Sequence, residues 1–305
     1  MYNDSKSHQE NINVNIVNPC CKIRILVTGT RGKSSLVRLI HAGLLSLGLK
    51  AYARITGVLP RSLTPTGIRI IHRDSPVSFR EMHWWLKTLP PDTEATIMEN
   101  SAVNPEFQPA AAKWLNPTLT VITNTRPDHQ DAWGYAEDSA RIALMKGVPK
   151  NVPVLNGEDM PVCPDYREQN IALALEALRL SGAKVGREVL DAVGPDIADF
   201  RILGEGEELT ACAFSANDVE STEMLFSLTG WDSREVTLLY HHRQDRSARL
   251  KVFMKWISMR EWRDIVMTDS RKPFSFEEWR KGRGKVFACG NVAGWPLEYM
   301  LCTEH

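Results

Sequence analysis

The feature that most constrains this chain is a Gly-Lys-Ser loop between an apolar run, Ile23 to Val27, and a helix-like segment that begins at Leu36. In a strand, loop and helix of this kind, successive backbone N–H groups and the helix N-terminus face an anion. The lysine would neutralise the outer phosphates of a nucleoside triphosphate, and the first serine would offer an oxygen to a phosphate-bound Mg²⁺. The sequence therefore predicts that the chain binds ATP and Mg²⁺. The predicted nucleotide-binding residues of the loop are Gly29, Thr30, Arg31, Gly32, Lys33, Ser34 and Ser35.

Composition limits the classes of partner that the chain can bind. With 305 residues, of which 43% are hydrophobic and 24% charged, it can bury the core of one large or two modest domains. Its 37 basic and 37 acidic residues balance, so no overall charge attracts nucleic acid or an anionic membrane. We therefore expect small-molecule substrates and no nucleic-acid partner.

The first 22 residues are polar and lack the apolar centre of a signal peptide, and no later run is long enough to span a bilayer. None of the six cysteines forms a Cys-x-x-Cys pair or shows a zinc-binding spacing. These features predict a flexible polar tail over residues 1–22, reduced thiols, no transmembrane segment and a cytoplasmic protein.

Apolar runs typical of strands alternate along the chain with segments of helical periodicity, which predicts an α/β fold with mainly parallel sheets. The first series predicts a P-loop sheet domain over residues 23–200. A second series follows the turn-like residues 204–208 and predicts a smaller Rossmann-like domain over residues 201–305.

Polar residues at the carboxyl ends of parallel strands are candidates for a site, because ligands of such sheets lie there. Glu99 ends the apolar strand that begins at Ala95. Taken alone, such a residue is more often a solvated or helix-capping acid, but beside the Lys33 loop Glu99 is a predicted Mg²⁺ ligand. His129 lies between Asp128 and Asp131 after the next strand, where it could ligate a cation or contact a transferring phosphoryl group.

Two basic regions in the second half of the chain are further candidates, because planar arginine donors engage two carboxylate or phosphate oxygens at once. Arg201 lies at the expected domain boundary, and Arg243 and Arg246 follow an apolar strand. The alternative is that the latter two are surface arginines paired with Asp245.

The loop pattern Thr-Gly-Thr-x-Gly-Lys-Ser-Ser and the later Asn-x-x-x-Asp-His-x-Asp block, residues 124–131, resemble the Mur ligase and folylpolyglutamate synthase superfamily. Its members couple ATP cleavage to amide-bond formation between a carboxylate and an amino acid. The resemblance implies that Asn124 lies near the adenine, that His129 is a metal ligand and that Arg201 reaches the nucleotide phosphates. It also makes Lys146 a candidate for carbamylation.

Within that superfamily, five blocks are similar in order and spacing to the ligase subunit of bacterial poly-γ-glutamate synthase. They are residues 56–61, 99–105, 214–222, 242–246 and 290–294. The closer resemblance implies substrate-binding roles for Arg61, Asn217, Asp218, Arg243 and Arg246. It implies association with membrane subunits of a synthase, and it leaves homo-oligomers open.

The predicted reaction is attack of an acceptor carboxylate on the γ-phosphate of ATP, followed by displacement of phosphate by the amine of an amino acid, with glutamate implied. Lys33, His129 and Arg243 are the predicted catalytic residues, acting by positioning and charge neutralisation. The acceptor, and the choice between a polymer and a single amide, stay open. A P-loop kinase acting on a small molecule and a non-catalytic ATP-binding switch are the alternatives.

Overall fold

The computed structural model describes residues 21–72, 78–216, 218–244 and 247–303. The chain divides into two compact units, the first ending at Val193 and the second beginning at Gly194. Most of the predicted polar tail, residues 1–20, lies outside the described residues. The predicted domain boundary between residues 200 and 201 stays a prediction.

The first unit is built on a seven-stranded sheet of order β4-β3-β2-β5-β1-β6-β7. Its strands are β1 Ile23–Thr28, β2 Ala51–Ile55, β3 Arg61–Thr64, β4 Gly67–Ile70, β5 Ala95–Glu99, β6 Leu119–Ile122 and β7 Val154–Asn156. Its helices are α1 Lys33–Ser46, α2 Arg80–Lys87, α3 Gln108–Leu115, α4 Gln130–Trp133, α5 Ser139–Met145, α6 Tyr166–Leu180 and α7 Arg187–Asp191. Five strands pair in parallel, and β3 and β4 add an antiparallel hairpin at one edge.

The central strands of this sheet are buried on both faces, and successive side chains of a strand point to opposite faces. Ile25 and Val27 of β1 lie in the core that α1, α6 and α7 cover, whereas Leu26 lies in the core on the α2 and α3 side. Apolar residues on both faces explain why the central strands are continuous apolar runs.

The second unit contains a five-stranded sheet of order β11-β10-β12-β9-β8. Its strands are β8 Arg201–Glu205, β9 Glu208–Ala213, β10 Val236–His242, β11 Asp264–Asp269 and β12 Lys285–Gly290, and its helices are α8 Val219–Thr229, α9 Ser247–Ile257, α10 Phe276–Trp279 and α11 Trp295–Cys302. All pairs are parallel except β8 with β9. The predicted α/β class with mainly parallel sheets is confirmed.

Elements that the sequence did not predict include β3, β8 and α11. Residues 56–61 are expected to be turn-rich, but Arg61 begins β3, and β8 occupies residues expected to form a boundary and a turn. Both belong to antiparallel pairs: β3 lies between β2 and β4, and β8 forms an edge of the second sheet. Neither carries the apolar run of a strand buried on two faces. The helix α11 follows a glycine-rich turn and carries a proline in its first turn, which obscures its periodicity.

None of the helices in the described part of the chain is long and apolar enough to cross a membrane.

Candidate active site

The carboxyl ends of β1, β2, β5 and β6 meet at one edge of the first sheet. Val27 pairs with Glu99, Thr28 with Ile122, and Arg54 with Met98, all in parallel register. Segments that are far apart in sequence therefore emerge side by side after Thr28, Ile55, Glu99 and Ile122. This is the edge where an open α/β sheet holds its ligands.

The loop between β1 and α1 depends on two glycines with positive φ and on one amide side chain. Gly29 has φ +129°, and a Cβ there would lie 2.1 Å from Thr123 Oγ1. Gly32 has φ +77° and precedes α1. Asn124 holds the turn between them: its Oδ1 accepts from Thr30 Oγ1 at 2.6 Å and its Nδ2 donates to Arg31 O at 3.1 Å. Asn124 thus binds the loop itself, and its predicted contact with adenine stays a prediction.

The helix α1 begins without a side-chain cap, so the N–H groups of its first turn are available to an anion. Lys33 lies in that turn and folds back, donating from Nζ to Gly29 O at 2.7 Å. Burial lowers the pKa of the Lys33 ammonium, and the Glu99 carboxylate offsets part of this effect. A cation surrounded by protein atoms and facing carbonyl oxygens is favourably placed to gain from a phosphate.

Glu99 is buried at the end of β5, where three donors hold both carboxylate oxygens. Ser34 Oγ donates to Oε2 at 2.9 Å, Thr56 N donates to Oε2 at 3.0 Å, and Thr56 Oγ1 donates to Oε1 at 2.7 Å. Gly57 lies so close that a Cβ there would be 2.8 Å from Ser34 Oγ. Two of the three predicted metal ligands, Ser34 and Glu99, are therefore brought together.

A third group of charged side chains lies beside the loop. Arg31 Nη1 donates to Asp128 Oδ2 at 2.8 Å and to Thr30 O at 3.0 Å, and His129 Nε2 lies 3.5 Å from the same Asp128 oxygen. Burial raises the pKa of Asp128, but the charges of Arg31 and His129 outweigh it and hold that pKa below its usual range. Asp128 is therefore ionised at neutral pH. The His129 ring also lies against Trp133, with 5.1 Å between ring centroids.

The donor set fits a divalent cation that also takes oxygens from phosphate. The described residues contain no group of three or more His, Cys, Asp or Glu side chains placed to hold a metal. Ser34 and Glu99 alone supply two oxygen ligands, and Mg²⁺ is commonly held by one or two carboxylates together with substrate phosphates and water. His129 contacts Asp128, and its predicted role as a metal ligand stays a prediction.

Two other predicted residues of the first unit lie in different surroundings. Arg61 is buried at the start of β3 and donates from Nε to Leu59 O at 3.3 Å. Lys146, the candidate for carbamylation, is exposed at the end of α5.

Those predicted residues of the second unit that the structure describes lie at the ends of different strands and helices of that unit. Arg201 begins β8 and donates from Nη2 to Asp196 O at 2.6 Å. Asp218 caps α8 by accepting from Ser221 N at 2.7 Å, and Arg243 is exposed just after β10. Asn217 and Arg246 lie outside the described residues.

A buried histidine anchors the glycine-rich turn of residues 290–294 at the carboxyl end of the second sheet. His241 Nε2 lies 2.9 Å from Ala293 O, and its Nδ1 accepts from Trp295 Nε1 at 3.1 Å. An indole N–H can only donate, so Nδ1 carries no proton and Nε2 does. Burial lowers the pKa of His241. The turn thus depends on a neutral imidazole.

Two residues with roles at the site were not assigned from the sequence. Thr56 orients Glu99, and Glu158 accepts from Thr125 N at 2.6 Å, which holds the segment after β6. Both follow strands of the first sheet, so the strand-end argument that selected Glu99 would also have found them.

A family model described as the Mur ligase middle domain matches residues 27–179, and one described as the poly-gamma-glutamate synthase CapB C-terminal domain matches residues 200–283. PGA synthase CapB of Bacillus subtilis (strain 168) is 28% identical over 82% of this chain and 73% of its own length. The capsule biosynthesis protein CapB of Bacillus anthracis is 24% identical over 98% of this chain and 73% of its own length.

Solved structures share the fold at low sequence identity. A bifunctional folylpolyglutamate synthase/dihydrofolate synthase from Yersinia pestis, complexed with AMPPNP and a Mn ion, has a TM-score of 0.68 at 16% identity, covering 95% of this chain and 90% of that one. The E. coli protein FolC in complex with DHPP and ADP has a TM-score of 0.62 at 15% identity, covering 97% and 95%. At this identity the likeness concerns the fold.

Proposed function

This chain belongs to the Mur ligase family, whose middle-domain model matches residues 27–179, and we propose that it uses ATP to join an amino acid to a carboxylate by an amide bond. The amino acid is glutamate, in keeping with the poly-gamma-glutamate synthase model matched by residues 200–283 and with the relatives named PGA synthase and capsule biosynthesis protein. The products are the amide, ADP and phosphate.

The observation that carries this proposal is the joining of the Lys33 loop to a buried carboxylate through Ser34 Oγ and Glu99 Oε2, 2.9 Å apart. A phosphate-binding turn alone occurs in many nucleotide-binding proteins and does not identify a ligase. A turn whose serine already contacts a fixed carboxylate presents the amides, the cation and the oxygen ligands that phosphoryl transfer needs.

In the first step, an acceptor carboxylate oxygen attacks the γ-phosphorus of ATP, and the bond to the β,γ-bridging oxygen breaks to leave ADP. The amides at the start of α1 bind the phosphates, and the Lys33 ammonium neutralises charge on the transferred group. The product of this step is an acyl phosphate. In the second step, the unprotonated amine attacks its carbonyl carbon, phosphate leaves with the electron pair of the broken C–O bond, and the nitrogen releases one proton to give the amide. His129, oriented by Asp128, contacts the transferred group.

Ser34 and Glu99 are the residues that would hold Mg²⁺. The ion would supply charge neutralisation on the phosphate oxygens. Because Thr56 fixes both oxygens of Glu99, the carboxylate needs no reorientation to accept a cation.

The remaining predicted residues bind nucleotide phosphate or the substrates. Arg201 binds nucleotide phosphate, and the substrate residues are Arg61 of the first unit together with Asn217, Asp218, Arg243 and Arg246. Guanidinium groups suit this task because glutamate and the acceptor both carry carboxylates. Association with membrane subunits and homo-oligomerisation stay predictions.

The test is a screen of amino acids and small carboxylates with ATP and Mg²⁺, following phosphate and ADP release and identifying the product by mass spectrometry. A ligase releases ADP and phosphate in equal amounts, only when both an acceptor and an amine are present. Lys33→Ala should reduce turnover by about a hundredfold to a thousandfold. The control, Lys113→Ala, removes an exposed lysine of α3 and should leave turnover unchanged.

Phosphate found on a hydroxyl of the substrate would instead identify a kinase. Tight ATP binding that no amine or carboxylate converts into turnover would favour a nucleotide-dependent switch. Near-native amide formation by Lys33→Ala would refute the assignment of the loop.

A further inference from the structure

We propose that Asp128 is a positioning residue of the nucleotide loop, which holds the Arg31 guanidinium beside the loop in the free protein and yields it to phosphate when nucleotide binds. This inference rests on the proposed function. It gives the two cations of the loop different roles. Lys33 remains with the loop when nucleotide binds, whereas Arg31 exchanges Asp128 for phosphate.

The geometry supports the exchange because Arg31 belongs to the loop itself and Asp128 does not. The two are 97 residues apart in sequence, and their 2.8 Å contact is mostly shielded from solvent, with 18% of the Arg31 side chain and 9% of the Asp128 side chain exposed. A guanidinium has donors for more than one anion, and its fork matches phosphate as well as carboxylate. Phosphate bound at the amides of the loop would therefore compete with Asp128 for Arg31.

The charge balance of the free site explains why a carboxylate is needed there. Lys33 and Arg31 are two cations on one short loop, and the Arg31 charge contributes to lowering the pKa of Lys33, whereas the Asp128 charge acts in the opposite direction. Asp128 thus relieves the repulsion between the two cations. Once a triphosphate supplies negative charge, the same carboxylate becomes an unfavourable neighbour of the phosphates.

His129 is a second partner of Asp128, one that Asp128 keeps after Arg31 has turned to the phosphates. The histidine has φ +46°, an uncommon value for a non-glycine residue, and its Nε2 lies 3.5 Å from Asp128 Oδ2. Ala132 N and Trp133 N both donate to His129 O, which ties this backbone to α4. After Arg31 has turned to the phosphates, Asp128 still orients the imidazole.

These charges make a prediction that a purely structural ion pair would not. In Asp128→Asn a negative charge beside the phosphates disappears, so ADP should bind about threefold to tenfold more tightly. Turnover should fall at least about tenfold, because the His129 imidazole loses its orientation. In Arg31→Gln the Asp128 charge is left uncompensated, and ADP should bind more than about tenfold more weakly. The double variant restores the net charge and should bind ADP within about threefold of the native protein.

The experiment is calorimetric titration of the full chain with ADP, and with a non-hydrolysable ATP analogue, at low and moderate salt. Asp92→Asn is the matched control: it also removes one carboxylate from an ion pair, with Lys50, and should leave ADP binding unchanged. Asp128→Ser removes the same charge as Asp128→Asn with a different shape, and circular dichroism identifies any variant that fails to fold.

Tighter ADP binding by either neutral Asp128 variant, together with lower turnover, supports the proposal. Weaker or unchanged ADP binding by the folded Asp128 variants overturns it, as does a double variant that binds more weakly than both single ones. Native protein that binds ADP but makes no amide would refute the proposed function while leaving this test intact. Native protein that binds no nucleotide refutes both.

Discussion

Gly29→Ala is the substitution for which the structure predicts the clearest effect on the nucleotide loop. Gly29 has φ +129°, a region that side chains rarely adopt, and an added Cβ would lie 2.1 Å from Thr123 Oγ1 and 3.0 Å from Asn124 O. The backbone strain costs about 1–3 kcal/mol, and the forced shift of Thr123 adds about 1–3 kcal/mol. We therefore expect the free energy of unfolding to fall by about 2–6 kcal/mol.

The chain offers a matched control for the strain alone. Gly48 also has a positive φ, +76°, but a Cβ there would meet nothing within 4 Å. Gly48→Ala should therefore cost only about 1–2 kcal/mol and leave ATP binding unchanged. Adding Thr123→Ala to Gly29→Ala removes the nearest atom and should recover about 1 kcal/mol.

Urea unfolding measures the stabilities, and titration with a non-hydrolysable ATP analogue measures the loop. Gly29→Ala should lose at least about tenfold in affinity, because its Cβ displaces the segment that carries Asn124, which in turn holds Thr30 and Arg31. A Gly29→Ala protein as stable as Gly48→Ala, with native affinity for the analogue, would refute the reasoning.

Three further substitutions test other parts of the structure. Thr56→Val removes the 2.7 Å hydrogen bond from Thr56 Oγ1 to Glu99 and should raise the Mg²⁺ concentration for half-maximal turnover about tenfold. Thr56→Ser keeps a hydroxyl and should show the native Mg²⁺ dependence. Equal Mg²⁺ dependence in the two variants would contradict this role of Thr56. Trp85 is 2% exposed, so Trp85→Ala should lower the free energy of unfolding, measured in urea, by about 3–5 kcal/mol. Trp84 is 55% exposed, and Trp84→Ala should lower it by less than about 1 kcal/mol. Similar losses in the two variants would contradict the assigned burial. Burial lowers the pKa of His241, so between that folded pKa and about pH 6.5 the unfolded chain binds more protons than the folded one. As the pH is lowered through this range, the free energy of unfolding should decrease by up to about 1.4 kcal/mol per pH unit. His241→Gln should flatten this slope between its folded pKa and about pH 6.5, and an unchanged slope would show that the imidazole titrates as it does in the unfolded chain.

Much of the fold was predictable because the signals are local. The apolar runs of β1, β5 and β10 are strands buried on both faces, and the helix-like segment that begins at Leu36 lies within α1. The antiparallel strands β3 and β8 were missed because neither carries an apolar run, and the pairing of such strands is decided elsewhere in the sheet. The resemblance drawn from the motifs is confirmed by the two family models that match the chain.

By itself the sequence determined which residues form the loop after β1, because that chemistry is local: glycines permit the turn, and a lysine and a serine follow at fixed spacing. Which distant residues contact this loop depends on how the whole unit folds. Thr56 lies 43 residues from Glu99, Ser34 lies 65 residues from it, and Arg31 lies 97 residues from Asp128. These contacts depend on the order and register of strands in the sheet. Strand pairing is set by the packing of the whole unit, and no spacing along the chain encodes it.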